Sequence, residues 1–221
     1  VDLRRDNGVV VMAVFTKGRT QAEAARLFAL SVTGIGQPIS MLQFTAAQEA
    51  AKTEEIRAPD HIAASHILIG RLASVISPDN IAAIGHRLVN GGTKFADPTL
   101  VAAMTEADWE FLSRLDPEHT PAARQLIKQF ATQYPLITQV ACFDTAFFRD
   151  LPHVAQIMAI PQKYFAEGVR RYGFHGLSYA SLLKTFGEQA GETAANGRVI
   201  LAHLGSGTSV TATRNGKPID T

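Results

Sequence analysis

The sequence predicts an α/β fold, and three observations carry that reading. Short β-branched apolar runs alternate with stretches of helical periodicity, and several of the runs end in polar or glycine residues, where open α/β sheets place their ligands. The third is the balance of 46% hydrophobic to 19% charged residues over 221 positions, an ordinary globular composition that argues against disorder. This length suits one large domain or one and a half smaller ones. A formal net charge of +1 gives no footprint of a nucleic-acid binder or a membrane-surface protein. The single cysteine, Cys142, cannot form an internal disulfide, which points to a reducing cytoplasm. No apolar run approaches the roughly 20 residues that span a bilayer. The opening VDLRRDNGVVVMAVF has a charged lead but no small-residue cleavage site, so its short run Val9 to Phe15 reads as a buried strand rather than a signal peptide.

The elements follow in order. After the strand VVVMAVF, the stretch TQAEAARLF carries a capping box, Thr20 with Glu23, that allows a short helix. LFALSVTGIG reads as a strand ending at Gly34 and Gly36. PDHIAASHILIGRLA predicts a helix capped by Asp60, with Ile62, His66, Ile69 and Leu72 or Ala73 on one face. NIAAIGHRLV follows a Ser77-Pro78 turn as a buried strand. TEADWEFLSRL and TPAARQLIKQFATQY read as helices, the second with Thr120 as N-cap and Pro121 at the first helical position. LITQVACFD is a strand ending at Asp144, and LSYASLLKTFGEQAG a helix closed by Gly191. RVILAHLGSG is a strand delivering a glycine loop, and SVTATRNGKPID a hairpin turning at Asn215-Gly216.

Four constellations could carry chemistry. In GHRLVNGG, residues 85 to 92, His86 and Arg87 project from a strand end before Gly91-Gly92 turns the chain. The planar fork of Arg87 suits a carboxylate or phosphate, and equally a structural carboxylate. In FDTAFF, Asp144 leaves a strand tip among apolar residues, where it could orient a hydroxyl, hold a cation, or simply cap a turn. In RRYGFHGLSY, His175 stands between glycines behind Arg170 and Arg171, bare enough to reach charge building on an oxygen. In HLGSGTS, Gly205 and Gly207 could aim backbone N–H groups at an anion, or form an ordinary tight turn. Together these offer arginine, carboxylate, histidine and an anion loop, an inventory that suits phosphoryl transfer. There is no zinc spacing and no G-x-S-x-G elbow, and Cys142 sits inside an apolar strand, where a thiol is inert.

The stretches AAIGHRLVNGG, QVACFDTAFF, IPQKYFAEGVRRYGFHGLSY and HLGSGTSVTATRNGKPIDT resemble, in order and in register from about Leu27 to Thr221, the motifs of acetate kinase and its short-chain carboxylate kinase relatives. The resemblance implies the actin-like, ribonuclease H-like ATPase fold shared with sugar kinases and chaperone ATPases. It implies an acyl-substrate domain over 1–147 and the start of a nucleotide-binding domain over 148–221. The implied reaction is ATP plus acetate to ADP plus acetyl phosphate with Mg2+, in a cytoplasmic homodimer that needs neither nucleic acid nor membrane. Carried across, Asp144 and His175 would be catalytic, and Arg87 and His119 would bind substrate. Val89 and Phe174 would wall the acyl pocket, and His203, Leu204, Gly205, Ser206 and Gly207 would cradle nucleotide phosphate.

The sequence also departs from that pattern. The family's opening serine-rich loop, with its asparagine and lysine, is matched here by RRDNGVVV, where Asn7 could stand in at the metal and a valine replaces the lysine. Ser206 replaces an asparagine, Tyr179 and Phe148 each replace a histidine, and Asp116 to Glu118 form an insertion before His119. The motif order places the family's second half, with its adenosine pocket and a further transition-state arginine, beyond Thr221. The chain is therefore expected to be an N-terminal portion, and not an efficient kinase alone, since one phosphoryl-stabilising arginine is worth roughly a thousandfold. Propionate or butyrate as acceptor, or a non-catalytic remnant that binds a carboxylate, acyl phosphate or nucleotide, are the alternatives.

Overall fold

A computed structural model of the chain describes residues 2–4, 9–16, 25–47, 49–205 and 207–221. Asn7, the Thr20–Glu23 capping box and Ser206 fall outside these residues. The chain divides into two compact units, 1–87 with 100–113 and 117–141, and 88–99 with 114–116 and 142–221.

In the first unit, β1 (Asp2–Arg4), β2 (Val9–Phe15), β3 (Arg26–Thr33), β4 (Ser40–Ala46) and β5 (Lys52–Ile56) form an antiparallel sheet in chain order. Alternation builds its buried face. Val10, Val32 and Leu42 stand in one cross-strand row, and Met12, Leu30 and Phe44 in the next. Gly34 and Gly36, with φ of 69° and 81°, turn the chain between β3 and β4. The buried Ser40 hydroxyl donates to the Gly34 carbonyl at 3.0 Å and so ties that turn down. The sequence reading missed β4 and β5. β5 is the polar run KTEEI, and charges along an edge are how a sheet avoids pairing with another chain.

Onto this sheet packs α1 (His61–Val75), whose N-cap Asp60 accepts from the Ala63 N–H at 2.8 Å as expected. Its buried stripe is Ala64, Ser65, Leu68, Ile69 and Leu72, whereas Ile62 and His66 are exposed. A stripe sought among bulky residues overlooks small ones, and it is the small ones that let helices approach. Ser65 reaches Gln129 on the neighbouring helix. The next two helices are α2 (Glu106–Leu115) and α3 (Thr120–Gln133). Thr120 proves to be the first helical residue of α3, with His119 at the cap position and Pro121 in the first turn. Leu126, Phe130 and Tyr134 carry α3 into the core beside Leu30, Leu68 and Ile84.

A second sheet runs in the order β6 (Ala83–Leu88), β8 (Thr138–Phe143), β7 (Thr99–Leu100). In the second unit come the short helices α4 (His153–Gln156) and α5 (Lys163–Ala166), then α6 (Gly176–Ala190), closed by Gly191 at φ 89°, and α7 (Glu192–Ala195). A three-stranded antiparallel sheet follows, from β9 (Arg198–Leu204), β10 (Thr208–Arg214) and β11 (Lys217–Asp220). The β10–β11 turn has Asn215 and Gly216 both at positive φ, 53° and 70°, as a two-residue hairpin loop of the expected kind demands. Leu201 of β9 packs with Phe148, Leu151, Tyr179 and Leu183 in this unit's core. Among the described residues, no helix is long and apolar enough to cross a membrane.

His86, one of the side chains expected to project from its strand end, is a core residue. It is 2% exposed, bonds Gln139 Oε1 through Nε2 at 2.7 Å and meets Phe130 edge-on. Amide oxygen accepts only, so Nε2 holds the proton, and Nδ1 is buried without a partner among the described residues. Burial therefore penalises the charged ring and lowers its pKa from 6.5 to about 4. Between those values the unfolded chain binds a proton that the folded chain refuses. His86 thus favours folding above pH 6.5, and that contribution drains away toward pH 4, on the order of 3 kcal/mol in all. Urea unfolding across this range is predicted to show the loss, and His86→Gln to flatten it. An equal slope in both proteins would contradict the assignment.

Candidate active site

A polar cluster of the second unit forms where three segments meet: the end of β8, the start of α6 and the β9–β10 turn. Asp144, 1% exposed, opens a 3-10 turn over Asp144–Phe148. It is no side-chain cap: Phe143 holds the cap position, without a side-chain bond. The next residue, Thr145, accepts the Gly91 N–H on its hydroxyl at 2.9 Å and so moors the VNGG loop beside the aspartate. Gly91 has no room for a side chain, since a Cβ there would strike the Phe95 carbonyl and press on the Phe143 ring. Phe95 and Phe143 stack at 5.1 Å.

His175 precedes α6 in the left-handed region, φ 60° and ψ 26°, a conformation that costs a non-glycine residue roughly 1 kcal/mol or more. Its neighbour holds it there. Gly176 is wedged so tightly that a Cβ would collide with the Asp144 carbonyl oxygen and the Phe147 side chain. The backbone of the buried carboxylate therefore abuts the residue that follows the histidine.

The His175 ring stacks on that of His203, centroids 4.0 Å apart and planes 12° from parallel. Each Nδ1 meets a serine, His175 with Ser209 Oγ at 2.8 Å and His203 with Ser178 Oγ at 3.1 Å. Both Nε2 edges turn toward the glycine loop. A Cβ on Gly207 would lie 3.3 Å from His175 Nε2, and one on Gly205 would lie 3.6 Å from His203 Nε2. Glycines at 205 and 207 thus give the imidazoles a clear approach, besides shaping the turn. The turn is closed on itself, for the Gly205 N–H donates to the Gly207 carbonyl at 3.2 Å. Two imidazole edges over a bare loop form a surface suited to an anionic oxygen.

The remaining expected residues are distributed between the units. Arg87 is half-buried on β6 and His119 half-buried at the cap of α3, both in the first unit. Val89 is half-buried in the second unit, and Phe174, beside His175, is 37% exposed. Leu204 is 78% exposed because strand alternation turns it to the face opposite His203; only its backbone can serve the loop. Of the two arginines before the histidine, Arg171 is exposed and pairs with Asp220 at 3.3 Å, with its N–H on the Gln156 carbonyl. Arg170 lies half-buried over the Phe165 ring at 4.6 Å and reaches Gln156 at 3.3 Å. The Cys142 thiol is half-buried, and burial pushes its pKa up, as inertness requires.

Sequence reasoning noted Tyr179 only as a replacement for a histidine and overlooked Ser178 and Ser209. Helical spacing offered a signal for Ser178 and Tyr179, which follow His175 by one turn, whereas Ser209 is brought in by strand pairing opposite His203. Among the described residues, no trio of His, Cys, Asp or Glu is arranged to hold a metal ion.

Comparison with known proteins places this geometry in context. The sequence model of the acetokinase family matches residues 19–221. The acetate kinase of Bacillus cytotoxicus is 40% identical over 183 residues, covering 80% of this chain and 46% of that protein. The acetate kinase of Rhodopseudomonas palustris is 42% identical over 152 residues, covering 69% and 38%. Among solved structures, Porphyromonas gingivalis acetate kinase superposes with a TM-score of 0.76 at 32% identity, covering 94% of this chain and 56% of that one. A propionate kinase from Francisella tularensis gives 0.80 at 28% identity over the same shares. This chain thus spans about half the length of the curated relatives it matches, and it shares the α/β fold of these kinases. By the match along almost all of its length, the chain belongs to the acetokinase family.

Proposed function

We propose that the protein carrying this chain is a phosphotransferase with a carboxylate acceptor, passing the γ-phosphoryl group of ATP to acetate and, in reverse, that of acetyl phosphate to ADP. A carboxylate oxygen forms the new bond to phosphorus as the bond to the ADP oxygen breaks. The observation that carries this reading is the His175–His203 stack with both Nε2 edges over the Gly205–Gly207 turn, beside the buried Asp144. Charge in such a transfer spreads over three equatorial oxygens, and catalysis is mostly placement of donors around them.

In this reading His175 donates to the transferring phosphoryl group, and Asp144 fixes the reacting oxygens. The turn from His203 through Leu204, Gly205, Ser206 and Gly207 receives nucleotide phosphate. Arg87 and His119 hold the carboxylate or acyl phosphate, with Val89 and Phe174 against its alkyl end. Acyl recognition is thereby assigned to 1–147 with Phe174 added from the following stretch, and nucleotide recognition to the stretch from 148 onward. Mg2+ would arrive with the nucleotide and neutralise phosphate charge. It commonly takes only one or two carboxylates besides phosphate oxygens, so one buried carboxylate, that of Asp144, fits it without a preformed cluster. Asn7, named from the sequence for that ion, lies outside the described residues. The proposal extends to a cytoplasmic homodimer acting without nucleic acid or membrane.

Propionate is the second reading for the acceptor, since a propionate kinase is among the solved structures that superpose on this chain. One methylene in an apolar pocket separates acceptors by about 10- to 200-fold.

Two outcomes are expected. Trapping of acetyl phosphate with hydroxylamine is predicted to fall at least about 100-fold in Asp144→Asn, the size of a lost acid–base or positioning group. Unchanged activity would remove Asp144 from the chemistry. In parallel assays, kcat/KM for acetate is predicted to exceed that for propionate by about tenfold. The opposite ranking would install propionate as the acceptor.

A further inference from the structure

Behind His175, away from the turn, lies a chain of hydroxyls that the phosphotransferase reading does not use. Ser209 Oγ sits 2.8 Å from His175 Nδ1, and the Tyr179 hydroxyl sits 2.5 Å from the same Ser209 oxygen. Tyr179 is fully buried, and its ring is held by Phe147 and by the edge of Phe148, both at 6.1 Å. It follows His175 by one turn of α6, and its N–H closes that turn on the His175 carbonyl at 3.0 Å. The phenol and the imidazole are thus fixed to one helix end, and Ser209 of β10 bridges them.

We propose that Tyr179 and Ser209 are positioning residues which hold His175 as the tautomer protonated on Nε2, with that N–H directed at the glycine turn. The proton count supports one direction. Each hydroxyl has a single hydrogen, and a phenol is the stronger donor of the two. With Tyr179 donating to Ser209 Oγ, the serine proton is left to donate to His175 Nδ1, and every group in the line is satisfied. The reverse direction has Nδ1 donating to Ser209 and Ser209 donating to the Tyr179 oxygen, which leaves the phenol proton of a fully buried tyrosine with no acceptor among the described residues. A histidine's second nitrogen is set by the bond its first one makes, so this line dictates what His175 presents to a ligand. It presents a neutral donor rather than a bare lone pair. A donor is what an anionic oxygen requires, and a lone pair would repel it.

The inference rests on the proposed role of His175, but it is tested on the ring itself. Long-range 1H–15N correlation spectra of the histidine-labelled protein at about pH 8, above the ordinary imidazole range, report which nitrogen is protonated and whether the other accepts a hydrogen bond. The expected spectrum shows His175 protonated on Nε2 with a hydrogen-bonded Nδ1. In Tyr179→Phe, which keeps the ring and its packing, the Nδ1 resonance is expected to shift as Ser209 loses its donor, and further in Ser209→Ala. Ser209→Thr, which retains the hydroxyl, is expected to restore it. In the phosphotransfer assay Tyr179→Phe is expected to lower kcat by about 3- to 10-fold with KM for acetate unchanged, the size of one indirect hydrogen bond. A wild-type ring protonated on Nδ1 would overturn the proposal. So would a spectrum indifferent to both Tyr179→Phe and Ser209→Ala. If the protein transfers no phosphoryl group, the reaction assigned above fails, while the spectra still decide the relay.

Discussion

The candidate site depends on one close approach, the backbone of Asp144 against the first residue of α6. Two main chains can come that near only where a side chain is missing, and Gly176 supplies the gap. From this contact the rest follows in order. The helix starts beside the 3-10 turn, and the residue that precedes it, His175, takes the left-handed conformation. One turn later on the same helix come Ser178 and Tyr179, which reach His203 and Ser209 on the facing hairpin. A single backbone contact thereby orients two imidazoles, two serines and a phenol.

The two units illustrate different ways of holding polar groups in a folded chain. In the first, His86 is sacrificed to packing: one nitrogen is bonded, the other abandoned, and the ring kept neutral by burial. In the second, His175 and His203 have their Nδ1 atoms bonded and their opposite edges kept accessible by glycine. The same residue type is structural in one setting and suited to binding in the other. What separates the two is the side chain that occupies the space in front of the ring.

Much of this was legible in the sequence. The strands at VVVMAVF and RVILAHL, the Asp60 cap, the Asn215-Gly216 turn and the glycine-flanked histidine all follow from local chemistry, and the ordered motifs pointed to the family. What escaped was set by tertiary contact. KTEEI is a strand because a neighbour pairs with it, and nothing in its own pattern says so. The small residues Ala64 and Ser65 face inward because a helix packs there. His86 looked like a projecting group until the strand's alternation turned it into the core. Ser209 and Tyr179 are separated by 30 residues, and no spacing rule joins them; only the pairing of hairpin and helix does. Gly91 was read as a sharp turn, whereas a carbonyl and a phenylalanine ring are what exclude a side chain there.

The bond from the Gly205 amide to the Gly207 carbonyl has a consequence for selectivity. A loop that satisfies its own amide has no standing appetite for a partner, so an occupant must first break that bond. Water or a neutral oxygen returns about what was lost, and the exchange is close to even. A charged oxygen returns roughly twice as much, because charge-assisted bonds are that much stronger. An occupant of the kind proposed for this turn would therefore have to carry enough negative charge to offset the loss of that bond.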